Sequence, residues 1–197
     1  MSGAAGKFSE LSPRPLFFYT APMELFEAVK KRHSYRGAFL PDALPRSDLE
    51  KIVDAGIRAP SGYNGQSTTF VVVDDPLLLK RIAGILSGEA VATAPAIIFC
   101  VMDGRARAGA EFVFGVEDYA AAAENILLAV TACGYASVWI DGALRKEKRA
   151  ERLAELLGVP PQLSIRIALP LGVPVEERAQ KEKKPFAERA WFNRYGG

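Results

Sequence analysis

The chain is poor in the residues that bind metals and form cross-links. Its 197 residues include one histidine and two cysteines. A disulfide framework needs more cysteines than that. Cys100 and Cys133 each stand in an apolar stretch, so the expectation is two buried free thiols in a reducing cytoplasm. The same scarcity argues against a zinc site of the usual ligand types. No apolar run reaches the roughly 18 residues of a membrane span, and Met1 to Ala21 lack the charged-then-apolar order of a signal peptide. Charge is nearly balanced, with 25 Lys and Arg against 23 Asp and Glu for a net charge of +2. A polyanion binder would carry far more. The basic C-terminal stretch is interleaved with Glu176, Glu177, Glu182 and Glu188, which argues against a nucleic-acid surface. Two catalytic signatures are missing as well. No Gly-x-Gly-x-x-Gly links a strand to a helix, and no Gly-x-Ser-x-Gly occurs anywhere. Gly3-Ala4-Ala5-Gly6-Lys7-Phe8 fails as a phosphate loop, because its glycines are too close and no Ser or Thr follows the Lys.

What is present reads as one globular domain. The chain is 49% apolar and 24% charged, and a domain of this length buries roughly 70% of its unfolded surface. Residues 1–22, rich in Gly, Ala, Ser and Pro, read as an arm, and residues 23–197 as the domain. Leu25, Phe26 and Val29 recur at helical spacing in a first helix from Met23 to Arg32. Ser47-Asp48-Leu49-Glu50 has the form of a capping box, opening a helix to Ile57 with Leu49, Ile52, Val53 and Ile57 inside. Strands are expected at Phe70–Val73, Ala96–Val101, Ala136–Ile140 and Ser164–Leu169. Helices are expected at Leu77–Leu86, Val116–Cys133 and Lys146–Leu157, the last two closed by Gly134 and Gly158. Asp103 to Gly115 is polar, a candidate lid or partner contact. The helices cluster early and the middle one is long, so the pattern favours an α+β sheet wrapped by helices.

Four stretches carry candidate chemistry. Lys31-Arg32-His33-Ser34-Tyr35-Arg36 concentrates cations, a hydroxyl and the single histidine at a helix C-terminus. Such cations either complement the helix dipole or hold an anion, for which an Arg fork and a Ser hydroxyl are well suited. Pro60-Ser61-Gly62-Tyr63-Asn64-Gly65-Gln66 is either a plain connection or a reader of a flat heterocycle. Ser61, Asn64 and Gln66 both donate and accept, and the glycines let backbone come close. Asp141-Gly142 ends a buried strand, as a simple turn or a ligand edge. Lys183 and Lys184 belong to a charge run that local rules leave solvated.

Taken together these stretches resemble the nitroreductase family. Lys31 to Arg36 followed by Phe39 is similar to the family's opening basic motif. Ala59-Pro60-Ser61-Gly62-Tyr63-Asn64-Gly65-Gln66 ending at Phe70 is similar to its Ala-Pro-Ser-x-x-Asn-x-Gln loop. Glu124-Asn125-Ile126-Leu127-Leu128-Ala129 resembles its central-helix motif, Trp139-Ile140-Asp141-Gly142 its flavin-facing strand end, and Lys183-Lys184-Pro185 its basic C-terminal segment. Ser67-Thr68 stands where the family has Pro-Trp, and Glu124 where it has Gln. The resemblance implies an α+β fold with a mixed central sheet wrapped by helices, in an intertwined homodimer. It implies bound FMN and NADH or NADPH as hydride donor, with a nitroaromatic, quinone or similar acceptor in ping-pong turnover. Other flavin reactions (oxidation, dehalogenation, ring cleavage) and a non-catalytic flavin-binding role are the alternatives. By the same resemblance Arg32, His33, Ser34 and Arg36 would hold the phosphate end, completed by one or both of Lys183 and Lys184. Pro60, Ser61, Asn64 and Gln66 would line the ring. Asp141 and Gly142 would face its N5 edge through backbone N–H groups.

Overall fold

The computed structural model describes residues 23–105 and 113–196. The arm at residues 1–22 and most of the candidate lid therefore lie outside the described residues. A four-stranded sheet, ordered β1-β2-β4-β3, organises the rest. Its strands are β1 Thr68–Val73, β2 Ala96–Asp103, β3 Ala136–Ser137 and β4 Leu163–Gly172. All three ladders are antiparallel. The expected mixed sheet is thus antiparallel among its strands, and among the described residues parallel pairing is confined to an isolated Ser34–Ser137 bridge.

The helices are α1 Leu25–Lys31, α2 Arg46–Ile57, α3 Pro76–Ala83, α4 Glu89–Thr93, α5 Gly115–Ala132 and α6 Arg149–Leu157. They cover both sheet faces. Ile97, Phe99, Val101 and Ile165 pack with Ile82 of α3, Val91 of α4 and Leu153 of α6. Ile98, Cys100, Ile167 and Leu169 pack with Ile52 of α2 and Ile126, Leu127 and Val130 of α5. The unbroken apolar run of β2 follows from burial on both faces. At Gly56 α2 packs tightly on α5, since a β-carbon there would lie 2.8 Å from the Ile126 side chain. Cys100 is fully buried, and burial pushes its thiol up to about 12. Cys133 is only half-buried.

The structure corrects several local expectations. No capping box forms at Ser47: the cap position falls two residues earlier, at Pro45, whose carbonyl accepts from Asp48 and Leu49. Ser47 is therefore inside the helix, and the Leu49 N–H, two residues on, that it would cap is already held by the Pro45 carbonyl. Ile57 is 62% exposed, the last residue of α2 and turned away from the face that Gly56 sets against Ile126. Leu25, Phe26 and Val29 are exposed too, and α1 buries only Ala28. Helix α6 begins at Arg149 rather than Lys146, since Glu147 and Lys148 take φ of 55° and 53° in the preceding turn. β3 keeps only Ala136 and Ser137 in its ladder, with Ile140 rejoining β4 at Ala168 by a single bridge. Helix α3 is capped by Asp75, which accepts from the Leu78 N–H at 2.8 Å, and α4 follows it as a further short helix.

Candidate functional site

Helix α1 ends at Arg32, and the chain then leaves it in extended form. The Tyr35 N–H donates to the Ser137 carbonyl at 2.9 Å. Tyr35 is buried with its hydroxyl donating to the Ala38 carbonyl at 2.6 Å, so the alternation of an extended chain leaves Ser34 and Arg36 outside. The Arg32 side chain lies along α5, its Nε 3.3 Å from Glu124 Oε1. The Arg32 carbonyl accepts from Gln180 Nε2 at 2.6 Å. His33 Nδ1 lies 3.0 Å from the Lys31 carbonyl. A carbonyl can only accept, so Nδ1 carries a proton, and in the neutral ring Nε2 is left as the acceptor. That Nε2 is buried and has no hydrogen-bond partner among the described residues.

The loop after α2 is tightly turned. Tyr63, Asn64 and Gln66 all have φ near +50°, a region that residues with a β-carbon rarely enter. Within the loop, the Gln66 N–H donates to Ser61 Oγ at 3.0 Å and the Asn64 N–H to the Ser61 carbonyl at 2.9 Å. From outside, the buried carboxylate of Asp118 accepts from the Gly62 N–H at 2.8 Å and from the Ser67 hydroxyl at 2.6 Å. A cavity of about 560 Å³ lies against this loop, lined also by Asp103, Arg105, Phe114 and Gln162. Hydrogen bonds from Arg105 hold the Asp103 carboxyl down at about 2.

The turn at Asp141 and Gly142 sits at the far end of the β3 edge. Ser137 faces Leu171 and Ile140 faces Ala168, so at about 3.3 Å per residue Asp141 lies on the order of 13 Å beyond Ser137. The Asp141 carboxylate is occupied by Arg145, which donates from Nε at 2.8 Å and from Nη2 at 2.7 Å. At Gly142 a β-carbon would meet nothing within 4 Å. A second cavity, of about 680 Å³, opens beside this turn over Leu144, Ala154 and Ile165. Arg166, on its rim, is the extra residue where the β2–β4 register shifts, and its guanidinium lies 5.6 Å from the Tyr119 ring centre.

The predicted residues therefore fall into three groups. Arg32, His33, Ser34 and Arg36 are carried to the start of the β3 edge, and Asp141 and Gly142 to its end. Pro60, Ser61, Asn64 and Gln66 are gathered on the loop that Asp118 holds. Lys183 and Lys184 are exposed, and Lys184 lies 3.5 Å from Glu188. The C-terminal stretch reaches the Arg32 block at Gln180. Sequence reasoning missed Asp118, Arg145 and Gln180. A carboxylate on the inner face of an Ala-rich helix was a readable sign for Asp118, and the four-residue spacing to Asp141 for Arg145. Gln180 left no sign. Among the described residues no cluster of His, Cys, Asp and Glu is arranged to hold a metal ion, and no helix is long and apolar enough to cross a membrane.

The chain is similar to known proteins. The family model described as Nitroreductase family matches residues 29–91 and 86–173. Over 156 residues the chain is 33% identical to an Archaeoglobus fulgidus protein described as an NADH dehydrogenase/NAD(P)H nitroreductase, covering 79% of this chain and 88% of that one. A solved structure from Bacteroides thetaiotaomicron with the same description has a TM-score of 0.75 at 26% identity, covering 87% of this chain and 98% of that one. Another, from Desulfovibrio desulfuricans and described as a nitroreductase in complex with FMN, has a TM-score of 0.71 at 28% identity, covering 85% and 95%.

Proposed function

The chain belongs to the nitroreductase family, and from that premise we propose that it is an FMN-dependent oxidoreductase passing hydride from NADH or NADPH to a nitroaromatic, quinone or similar acceptor. The observation that carries the reading is the shared β3 edge, with an Arg-Ser-Arg block at its start and a turn with an open Gly142 at its end. The separation between them suits a phosphate at one end of a five-carbon chain and a ring at the other.

The residues present fit FMN on an observation of their own. The buried His33 Nε2 has no hydrogen-bond partner among the described residues, and a ribityl hydroxyl would supply one. Arg32, Ser34 and Arg36 would hold the phosphate, with Lys183 or Lys184 adding charge. Pro60, Ser61, Asn64 and Gln66 would line the ring, and the N–H groups of Asp141 and Gly142 would meet its N5 edge. Because Arg145 occupies the Asp141 carboxylate, that side chain is turned into its own bend, and the backbone is what remains to offer. The flavin supplies the redox chemistry, taking hydride and releasing electrons. The protein binds it, orients it and places N–H donors and cations where negative charge develops.

The chain has no Rossmann motif, so donor and acceptor would use one open ring face in turn. Two planar molecules cannot stack on that face together, which leads to ping-pong turnover. The exposed apolar residues Leu25, Phe26, Val29 and Ile57 support a homodimer with the flavin sites at its interface. The test is the visible spectrum of the purified protein, followed without air as NADH or NADPH is added. A flavin spectrum that bleaches is expected, and bleaching must reverse on adding an acceptor. Steady-state plots at several acceptor concentrations should give parallel lines; intersecting lines would require a separate donor site. A colourless protein that takes up no added FMN would overturn the assignment.

A further inference from the structure

The Gly62–Ser67 loop adopts a shape that its own residues do not favour. Tyr63, Asn64 and Gln66 sit at φ of 51°, 52° and 50°, and such conformations persist where the surroundings impose them. Bonds to Ser61 shape the middle of the loop. The carboxylate of Asp118 takes its two ends, one oxygen accepting from the Gly62 N–H at 2.8 Å and the other from the Ser67 hydroxyl at 2.6 Å. Asp118 is 6% exposed and stands in the first turn of α5, where the helix dipole favours negative charge. An ionised carboxylate is acceptor-only on both oxygens, which suits two donors converging from one loop. Phe114 closes the same corner: a β-carbon on Gly62 would lie 2.3 Å from its ring.

We propose that Asp118 is a positioning residue for the flavin ring. It fixes the distance between Gly62 and Ser67, and through that the placement of the Ser61, Asn64 and Gln66 polar groups. This inference rests on the FMN reading above. It deepens that reading by assigning a role to a side chain that need not touch the cofactor.

The test measures affinity of the full-length chain for FMN and for riboflavin, by fluorescence quenching, in the wild type and in Asp118→Ala, Asp118→Asn and Ser67→Ala. Riboflavin has the ring without the phosphate. A ring-side defect therefore weakens both ligands by the same factor, while a phosphate-side defect weakens FMN alone. Loss of two charge-assisted bonds in Asp118→Ala is expected to weaken both ligands about tenfold or more. Asp118→Asn should recover most of this, because its carbonyl oxygen still accepts from Gly62 and the Ser67 hydroxyl can turn to accept from its amide. Ser67→Ala removes one bond from the loop side and should show a smaller loss of the same kind. A merely structural role would lower the melting temperature of the flavin-free protein and leave riboflavin affinity as it was. That result overturns the proposal, as does a loss confined to FMN, or an Asp118→Asn as weak as Asp118→Ala. If Asp118→Ala fails to fold, Ser67→Ala decides: equal weakening of both ligands supports the proposal, and unchanged affinities overturn it. A wild type that binds neither flavin defeats the FMN reading itself, and the proposal with it.

Discussion

Tyr35 donates its backbone N–H to the Ser137 carbonyl at 2.9 Å, and that bond lays the Arg32–Arg36 block against the strand that leads to Asp141. The two ends of the proposed cofactor site thus share one edge of the sheet. Substitutions at one end should be separable from substitutions at the other.

At the phosphate end, Arg32→Ala should weaken FMN about ten- to hundredfold, the equivalent of roughly 1.5–3 kcal/mol for a charge-assisted bond. Riboflavin affinity should be unchanged. Fluorescence quenching with both ligands measures this, and an Arg32→Ala protein with wild-type FMN affinity removes Arg32 from the phosphate.

At the ring end, Gly142→Val has room within the chain, since a β-carbon there meets nothing within 4 Å. The variant should fold with a melting temperature near the wild type when flavin-free, yet lose flavin binding and reduction by crowding the ring edge. Asp141→Asn loses charge from the Arg145 clamp but keeps its backbone N–H. It should retain flavin and most of the reduction rate. A variant that holds flavin but no longer reduces it would make the carboxylate part of the chemistry.

In solution the protein should sediment as a dimer with one FMN per subunit. Leu25 and Phe26 are 61% and 78% exposed, a poor surface to leave in water. A monomer that binds FMN tightly would count against the shared site.

Tyr135 and Asp48 offer a test of stability against pH. The Tyr135 hydroxyl donates to Asp48 Oδ2 at 2.6 Å, and burial together with that carboxylate raises the phenol above its usual range. A folded value above the unfolded one means that the contribution is complete below the unfolded value, about pH 10. It is lost as the pH climbs through the folded value. Tyr135→Phe should cost about 1 kcal/mol at neutral pH, because solvent screens this half-exposed pair. The difference from wild type, measured by denaturant titration, should shrink above about pH 10. A difference that grows there would mean that the hydroxyl ionises early.

Much was legible in the chain itself. The six-residue buried run at Ala96–Val101 and the apolar face of α5 follow from period alone, and local composition marked the Arg32 block, the Pro60–Gln66 loop and the Asp141 turn as chemical. Period says which side of an element is apolar. It does not say what covers that side, and the described residues leave Ile57, Phe26 and Val29 exposed. Nor does spacing reach across the chain. Asp118 meets Ser67 from 51 positions away, and Gln180 meets Arg32 from 148. Those bonds exist because the sheet order brings β4 beside β3 and α5 beneath the loop. Local residue types determined what chemistry each stretch can offer; the tertiary structure decided which stretches face one another, because hydrogen bonds of this kind depend on distances that only the packed sheet and helices set.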